Sequence, residues 1–232
     1  MTNHRSLVQA YPIQKSADIK QDPPVRDRPN DDRKPAGTRG PCENTKQPFT
    51  PLLPIANSGV KFSGFTLKEY PTFWFYIPYQ SSTINRGAFF LENLQEGTRT
   101  YQVNFQLPET PGFVQISLPT TANPLELNQQ YRWQFTLYCE TDDQTDSSQV
   151  VWHQGLIERL DPQLLETQMA TALVIDKMEF YRDNRLWYDI SADLTQIYNF
   201  PLAWRYLLQA IDLEELQQEA IAGSVEPIKD SD

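Results

Sequence analysis

The sequence predicts an α+β fold: an antiparallel immunoglobulin-like β-sandwich followed by three C-terminal amphipathic helices packed on the sheet. Three observations carry this expectation. The stretch Pro71-Thr72-Phe73-Trp74-Phe75-Tyr76-Ile77-Pro78-Tyr79 sets five consecutive large apolar or aromatic residues between two prolines. About seven short runs of period-two alternation follow or precede it, separated by Gly, Pro and Asn turns. After Pro162 the apolar period changes from that of a strand to that of a helix.

In an extended chain Phe73, Phe75 and Ile77 fall on one face and Trp74 and Tyr76 on the other, so both faces need cover. The flanking prolines cannot donate to a ladder and limit this central strand to about five residues. Before it, nine of the eighteen prolines crowd into the first 54 residues, and Gln14 to Gly40 holds almost no large apolar side chain. Such a segment cannot bury enough surface to offset its ordering entropy, so residues 1–40 are expected to form a disordered, Pro-rich, charged tail. Its basic cluster, Arg26, Arg28, Arg33, Lys34 and Arg39, suits either a solvated spacer or contact with an acidic partner.

Residues 41–160 are expected to form the sandwich. Pro51 to Ile55 reads as an edge strand, Phe65 to Leu67 leads into the aromatic strand, and Ala88 to Glu92 follows a turn at Asn85-Arg86-Gly87. Tyr101, Val103, Phe105 and Leu107 mark one inward face; Val114, Ile116 and Leu118 mark the next, and the Pro111-Gly112 turn between them implies a hairpin. Tyr131 to Cys139 is the longest strand and is expected to pair with Val150 to Leu160 across the polar loop Glu140 to Gln149. A barrel is the competing way to close these strands.

Residues 161–220 are expected to form the helical region docked on the sandwich. Leu165, Met169, Ala172 and Leu173 make one stripe; Trp187, Ile190, Leu194 and Ile197 a second; Trp204, Leu207, Leu208 and Ile211 a third. Pro201 suits the first turn of the last helix, and Asn184 or Asn199 can end the one before it. Trp187 and Trp204 require burial, against the second face of the aromatic strand or against each other. The acidic remainder from Leu213 is expected to fray, leaving residues 221–232 as an acidic tail.

Composition narrows the function classes. No run approaches the length of a membrane span, and the N-terminus lacks the apolar region of a signal peptide, so taken literally the chain is soluble and not exported. The net charge of −10 disfavours nucleic acid and anionic membranes. That charge is uneven: residues 1–40 carry eight Lys/Arg against five Asp/Glu, and residues 161–232 five against fourteen.

Candidate sites are few. Cys42 and Cys139 are the only cysteines and belong to no CxxC pair, which argues against zinc or iron-sulfur sites. Cys139 continues the inward row Tyr131, Trp133, Phe135, Leu137, so burial as a free thiol and a disulfide to Cys42 both stand. With only His4 and His153, no nucleophile has a base, and no phosphate-binding glycine loop is present. His153 reads as a hydrogen-bonded sheet residue. Glu140, Asp142, Asp143 and Asp146 share one loop and could gather calcium or a binding partner, but they lack EF-hand spacing, and a solvated acidic loop is the simpler reading. Asp189 and Asp193, at i and i+4, suggest a wet helix face relieved by Arg182 or Arg185. Aromatic side chains are the abundant resource, and Trp74, Tyr76, Tyr79 or Trp133 could form a ring platform for sugars if exposed.

Four stretches together, Gly37-Thr38-Arg39-Gly40-Pro41-Cys42, the aromatic strand, Tyr131-Arg132-Trp133-Gln134-Phe135-Thr136-Leu137-Tyr138-Cys139 and Leu186-Trp187-Tyr188-Asp189, resemble a cyanobacterial family, domain of unknown function 928, over roughly residues 36 to 216. The resemblance implies export to the periplasm or cell exterior and a disulfide between the two cysteines; it implies neither a cofactor nor an assigned activity. The chain departs from the pattern in lacking a secretory signal and in reading Gly155-Leu156 where the family has Gly-Trp before Ile-Glu-Arg, which moves an aromatic to Trp152. The expected function is a non-enzymatic exported binding or structural module contacting another protein or the cell envelope. The alternatives are a carbohydrate-binding module and an enzyme with an unrecognised site.

Overall fold

The structure is a computed structural model and describes residues 37–39, 45–55, 62–139, 150–162, 174–190 and 194–228. The acidic loop, Cys42, the first helical stripe at 165–173, and the expected tail apart from 37–39 lie outside them.

In chain order the strands are β1 (Gly37–Arg39), β2 (Thr50–Pro51), β3 (Ser63–Thr66), β4 (Thr72–Ile77), β5 (Arg86–Asn93), β6 (Thr98–Gln106), β7 (Gly112–Ser117), β8 (Gln130–Tyr138) and β9 (Val150–Arg159). Among the described residues four short helices follow: α1 (Val174–Asp183), α2 (Trp187–Ile190), α3 (Leu194–Tyr198) and α4 (Pro201–Ala210). A 3-10 turn at Glu214–Leu216 leads to β10 (Ile221–Ser224) and β11 (Glu226–Pro227). The protein is thus mixed α/β and mostly strand. Its larger sheet has the order β1-β9-β8-β5-β6-β11, with β3 also beside β9; the smaller has the order β10-β7-β4-β2.

The two sheets face each other as an open sandwich, and ring contacts hold them. Phe75 of β4 lies 4.1 Å from Phe135 of β8 and meets Trp133 edge-on at 5.6 Å, while Phe73 lies 4.9 Å from Phe89 of β5. The outer side of the smaller sheet is covered as well. Tyr76 packs on Phe113 of β7, which in turn meets the Trp204 ring of α4 edge-on at 5.0 Å. Trp204 therefore lies on the Tyr76 side of the smaller sheet and reaches the aromatic strand through Phe113. Trp187 sits elsewhere: a Cβ placed on Gly64 of β3 would lie 3.3 Å from both the Trp187 and Tyr188 rings. Pro201 opens α4, and Asn184 and Asn199 follow the ends of α1 and α3 as expected.

Three expectations are corrected. The hairpin between the Tyr101–Leu107 and Val114–Leu118 runs does not form, because β6 pairs with β5 in the larger sheet and β7 with β4 in the smaller. Alternation identifies which side chains share a face, and two strands facing each other across a core satisfy that pattern as well as two paired side by side. The sandwich is also not purely antiparallel, since β3 runs parallel to β9 and β10 parallel to β7. Finally, the segment from Leu213 does not fray up to Ile228. Val225 N–H donates to the Gln115 carbonyl at 3.0 Å and Ile228 N–H to that of Asn104 at 2.9 Å, so one strap hydrogen-bonds the exposed edges of both sheets. Pairing of this kind satisfies backbone groups and needs no apolar period.

Candidate binding face

Two of the side chains that the sequence singles out, His153 and Asp189, are committed to the interior. His153 is fully buried between the Phe49 and Phe62 rings, at 4.8 and 5.4 Å, and its Nε2–H donates to the Phe49 carbonyl at 2.8 Å. A carbonyl only accepts, so this bond places the proton on Nε2. The sheet role expected for His153 is the one it has.

Asp189 is a correction. It is 2% exposed, not on a wet helix face; its carboxylate accepts from Thr66 Oγ1–H at 2.6 Å and Leu67 N–H at 2.9 Å. The i, i+4 argument presupposes one continuous helix, whereas α2 ends at Ile190; Asp193 lies outside the described residues. Beside it, Trp133 Nε1–H donates to the Tyr188 hydroxyl at 2.6 Å, and that hydroxyl donates to the Leu156 carbonyl at 2.9 Å. Burial pushes the Tyr188 hydroxyl well above the ordinary tyrosine range, with the Trp133 bond opposing. Arg185 donates to Ser63 Oγ at 3.1 Å and lies over the Phe65 ring. Leu186-Trp187-Tyr188-Asp189 is thus a clasp fastening α2 to β3, β8 and β9. In the sequence the helical stripe marks Trp187 for burial, but outside the family resemblance nothing marks the sheet partners of Tyr188 and Asp189.

The rings expected to form a sugar platform are also interior. Trp74, Tyr76, Tyr79 and Trp133 are 5, 5, 7 and 0% exposed, so none of them can stack on a ligand from solvent. Burial and the neighbouring Glu219 carboxylate push the Tyr76 hydroxyl up to about 12. A void of about 10 Å³ beside Trp74 and Trp187, among the described residues, has room for roughly one water and no substrate. Among the described residues no three His, Cys, Asp or Glu side chains converge, and no helix is long and apolar enough to cross a membrane.

Among the described residues, no helix covers the outer face of the larger sheet. On β8 the inward residues Tyr131, Trp133, Phe135 and Leu137 are buried, whereas Arg132, Gln134, Thr136 and Tyr138 point the other way and none of them is buried. Register extends this face across the sheet. One row runs Asn104, Ala88, Thr136, Trp152; the next runs Gln102, Phe90, Gln134, Gln154. All eight are half-buried or exposed, the described helices gather on β3 and the smaller sheet, and neither row holds a charge. Charges stand at the borders: Arg86 beyond the first row, Glu92 paired with Arg132 beyond the second. Trp152 and Leu156 share this outer side of β9, so the aromatic displaced along the sequence stays on the same face. The face is built from parity alone, and the inward row of β8 already names its residues by exclusion.

No curated protein and no solved structure matches this chain. Residues 34–221 match the family described as Domain of Unknown Function (DUF928), a span that includes β1 to β9, the clasp and the four described helices. The chain belongs to that family.

Proposed function

We propose that the protein is a non-enzymatic, exported binding or structural module that contacts another protein or the cell envelope through the open face of its larger sheet. The observation that carries this reading is the contrast between the two kinds of surface. His153, Asp189, Tyr188 and the inward rings are enclosed by core partners, while a flat sheet face crossing four strands is left uncovered by the described helices. A rigid sheet with an open face suits recognition, and catalysis would need convergent polar groups with access to solvent. An immunoglobulin-like topology is part of the proposal, supported by the crossings between sheets after β4, β6 and β7.

Export is supported by the position of Cys139 and by the length of chain between Arg39 and Cys42. Arg39 and Tyr138 flank Val150 on neighbouring strands, about two strand spacings or ~10 Å apart. Three further residues carry the chain from Arg39 to Cys42, enough to cover that distance, and Cys139 directly follows Tyr138. No described cysteine is free. A bond closing so long a loop stabilises by roughly 4–5 kcal/mol on the chain-entropy model. Protein from an exported fraction should release thiols only after reduction; two reactive thiols there would remove this support.

The functional test is capture from the exported fraction of the source with the intact chain, compared with a variant carrying Thr136→Lys and Gln154→Lys on the face. Charge reversal at Asp142, Asp143 and Asp146 and deletion of residues 1–36 probe the other two candidate surfaces. Loss of partners in the face variant alone supports the proposal. Unchanged capture in all three, with turnover in a hydrolase screen abolished by His153→Ala, would replace it with an enzymatic function.

A further inference from the structure

We infer that the open face of the larger sheet binds a neutral glycan, with Trp152 as its stacking ring. This rests on the binding-module proposal above and adds the class of ligand. The sugar platform expected from Trp74, Tyr76, Tyr79 and Trp133 fails because those rings are interior; the face pointing the opposite way carries a different set.

Three features of this face select the ligand. The first is its lack of charge. The two central rows hold only Asn, Gln, Thr, Ala, Phe and Trp, although 22% of the chain is charged. The rows themselves offer a phosphate, carboxylate or cation no counter-ion, and the Arg99 guanidinium that reaches over Phe90 is engaged by Gln102. The second is the density of amides. Asn104 and Gln154 each carry a donor and an acceptor, and Gln134 keeps its amide oxygen beside them, which is what vicinal sugar hydroxyls require of a partner. An apolar protein surface pressed on these rows would strand them, at the cost of leaving polar groups unpaired; hydroxyls pair them. The Gln134 side-chain N–H donates to Thr136 Oγ1 at 3.0 Å, which fixes the orientation of that amide before a ligand arrives.

The third is the placement of the rings. Trp152 pairs with Thr136 on one side and with Gly37 of β1 on the other, so the indole stands between a small side chain and none. Such a position lets the apolar C–H face of a pyranose lie on the ring, the mode in which large aromatics contribute area at small entropic cost. Tyr138 is the diagonal neighbour two residues along β8, about 7–8 Å away, and offers a second ring to the same chain of sugars. Phe90 is different: the Arg99 guanidinium lies 4.3 Å over its ring and is held by Gln102 at 2.7 Å, which closes the platform on that side.

The test is affinity electrophoresis of the intact chain in native gels containing hydroxyethylcellulose, mixed-linkage β-glucan, xylan or glucomannan, with alginate as a charged comparison. At least one neutral polymer should retard the wild type, equally at low and high salt. Trp152→Ala should weaken that retardation at least about tenfold, Gln134→Ala and Gln154→Ala by a few-fold each, and Phe200→Ser not at all. Thermal melts establish that the variants fold; if Trp152→Ala does not, the half-buried pair Gln134→Lys and Gln154→Lys carries the same expectation. Retardation that survives these changes overturns the assignment to this face. No retardation by any neutral polymer, together with loss of a captured protein in the Lys variant, overturns the glycan and leaves the binding module standing; no retardation and unchanged capture overturns both.

Discussion

Tyr188→Phe isolates the clasp between helix and sheet. The substitution keeps the ring and its volume, so it leaves no cavity, and removes one hydroxyl that connects Trp133 Nε1–H to the Leu156 carbonyl. Both groups stay behind in the interior; Trp133 is fully buried. A buried donor without a partner costs about 1–3 kcal/mol, and a carbonyl somewhat less because its second lone pair can be used elsewhere. The expected loss is therefore about 2–4 kcal/mol, a large fraction of the roughly 5–15 kcal/mol that holds a domain together.

Urea unfolding, followed by tryptophan fluorescence and by far-ultraviolet circular dichroism, measures it: the midpoint should fall while the slope stays constant. A cycle with Trp133→Phe sharpens the test. Trp133→Phe alone pays for lost packing, yet in its background Tyr188→Phe no longer strands the indole N–H, so the double variant should lose about 1–2 kcal/mol less than the two singles together. A loss below about 0.5 kcal/mol in Tyr188→Phe, or strict additivity in the cycle, would falsify the clasp. Because the same bond ties α2 to β8 and β9, the two probes should report one transition; separate transitions would show that the helices fold independently of the sheets.

Three further predictions follow from the packing. Gly155→Ala should destabilise by about 2–3 kcal/mol or more in urea, because its Cβ would overlap Trp133 Cζ2 and sit 2.5 Å from the Phe62 carbonyl, neither of which can retreat; a neutral result would mean the core is looser than described. The Tyr76 contribution to stability should be lost as pH rises from 10 to about 12, since its hydroxyl, raised by burial and Glu219, keeps its proton in the folded chain after the unfolded chain has lost it. Tyr101, Tyr131 and Tyr188 are raised in the same direction, so Tyr76→Phe should reduce that slope without abolishing it, and an unchanged slope counts against the assignment. Deleting residues 221–232 should uncover the β6 and β7 edges and give concentration-dependent association by light scattering; a deletion that stays monomeric at every concentration would show that these edges need no cover.

Side-chain parity was legible, and chain pairing was not. Tyr131, Trp133, Phe135 and Leu137 are all buried, and both faces of the Phe73–Ile77 strand are covered, because alternation against a core leaves a periodic mark in composition. The strap at 221–228 leaves none: its pairing is carried by backbone groups that every residue possesses, and its trace is Gly112, where a Cβ would overlap the Ala220 carbonyl oxygen. Asp189 escaped for a related reason. Its partners, Thr66 and the Leu67 N–H, lie more than a hundred residues away in sequence, so no local spacing points to them.

The error over the ring platform has a physical cause that makes it correctable. Searching for binding rings where aromatics are densest selects the core, since density on both parities of a strand means that both faces are covered. Phe73 to Ile77 meets that condition, and every residue of it is buried. A ring meant for solvent has polar residues at its own parity and apolar or enclosed ones at the other. Trp152 meets this condition: Gln154 shares its face, while Val151, His153 and Gly155 alternate with it and are buried. Tyr138, two residues beyond Thr136 and four beyond Gln134, meets it as well. On the glycan proposal the rings to test are thus those the sheet fails to bury, Trp152 and Tyr138, and they stand on strands whose inward rows are filled.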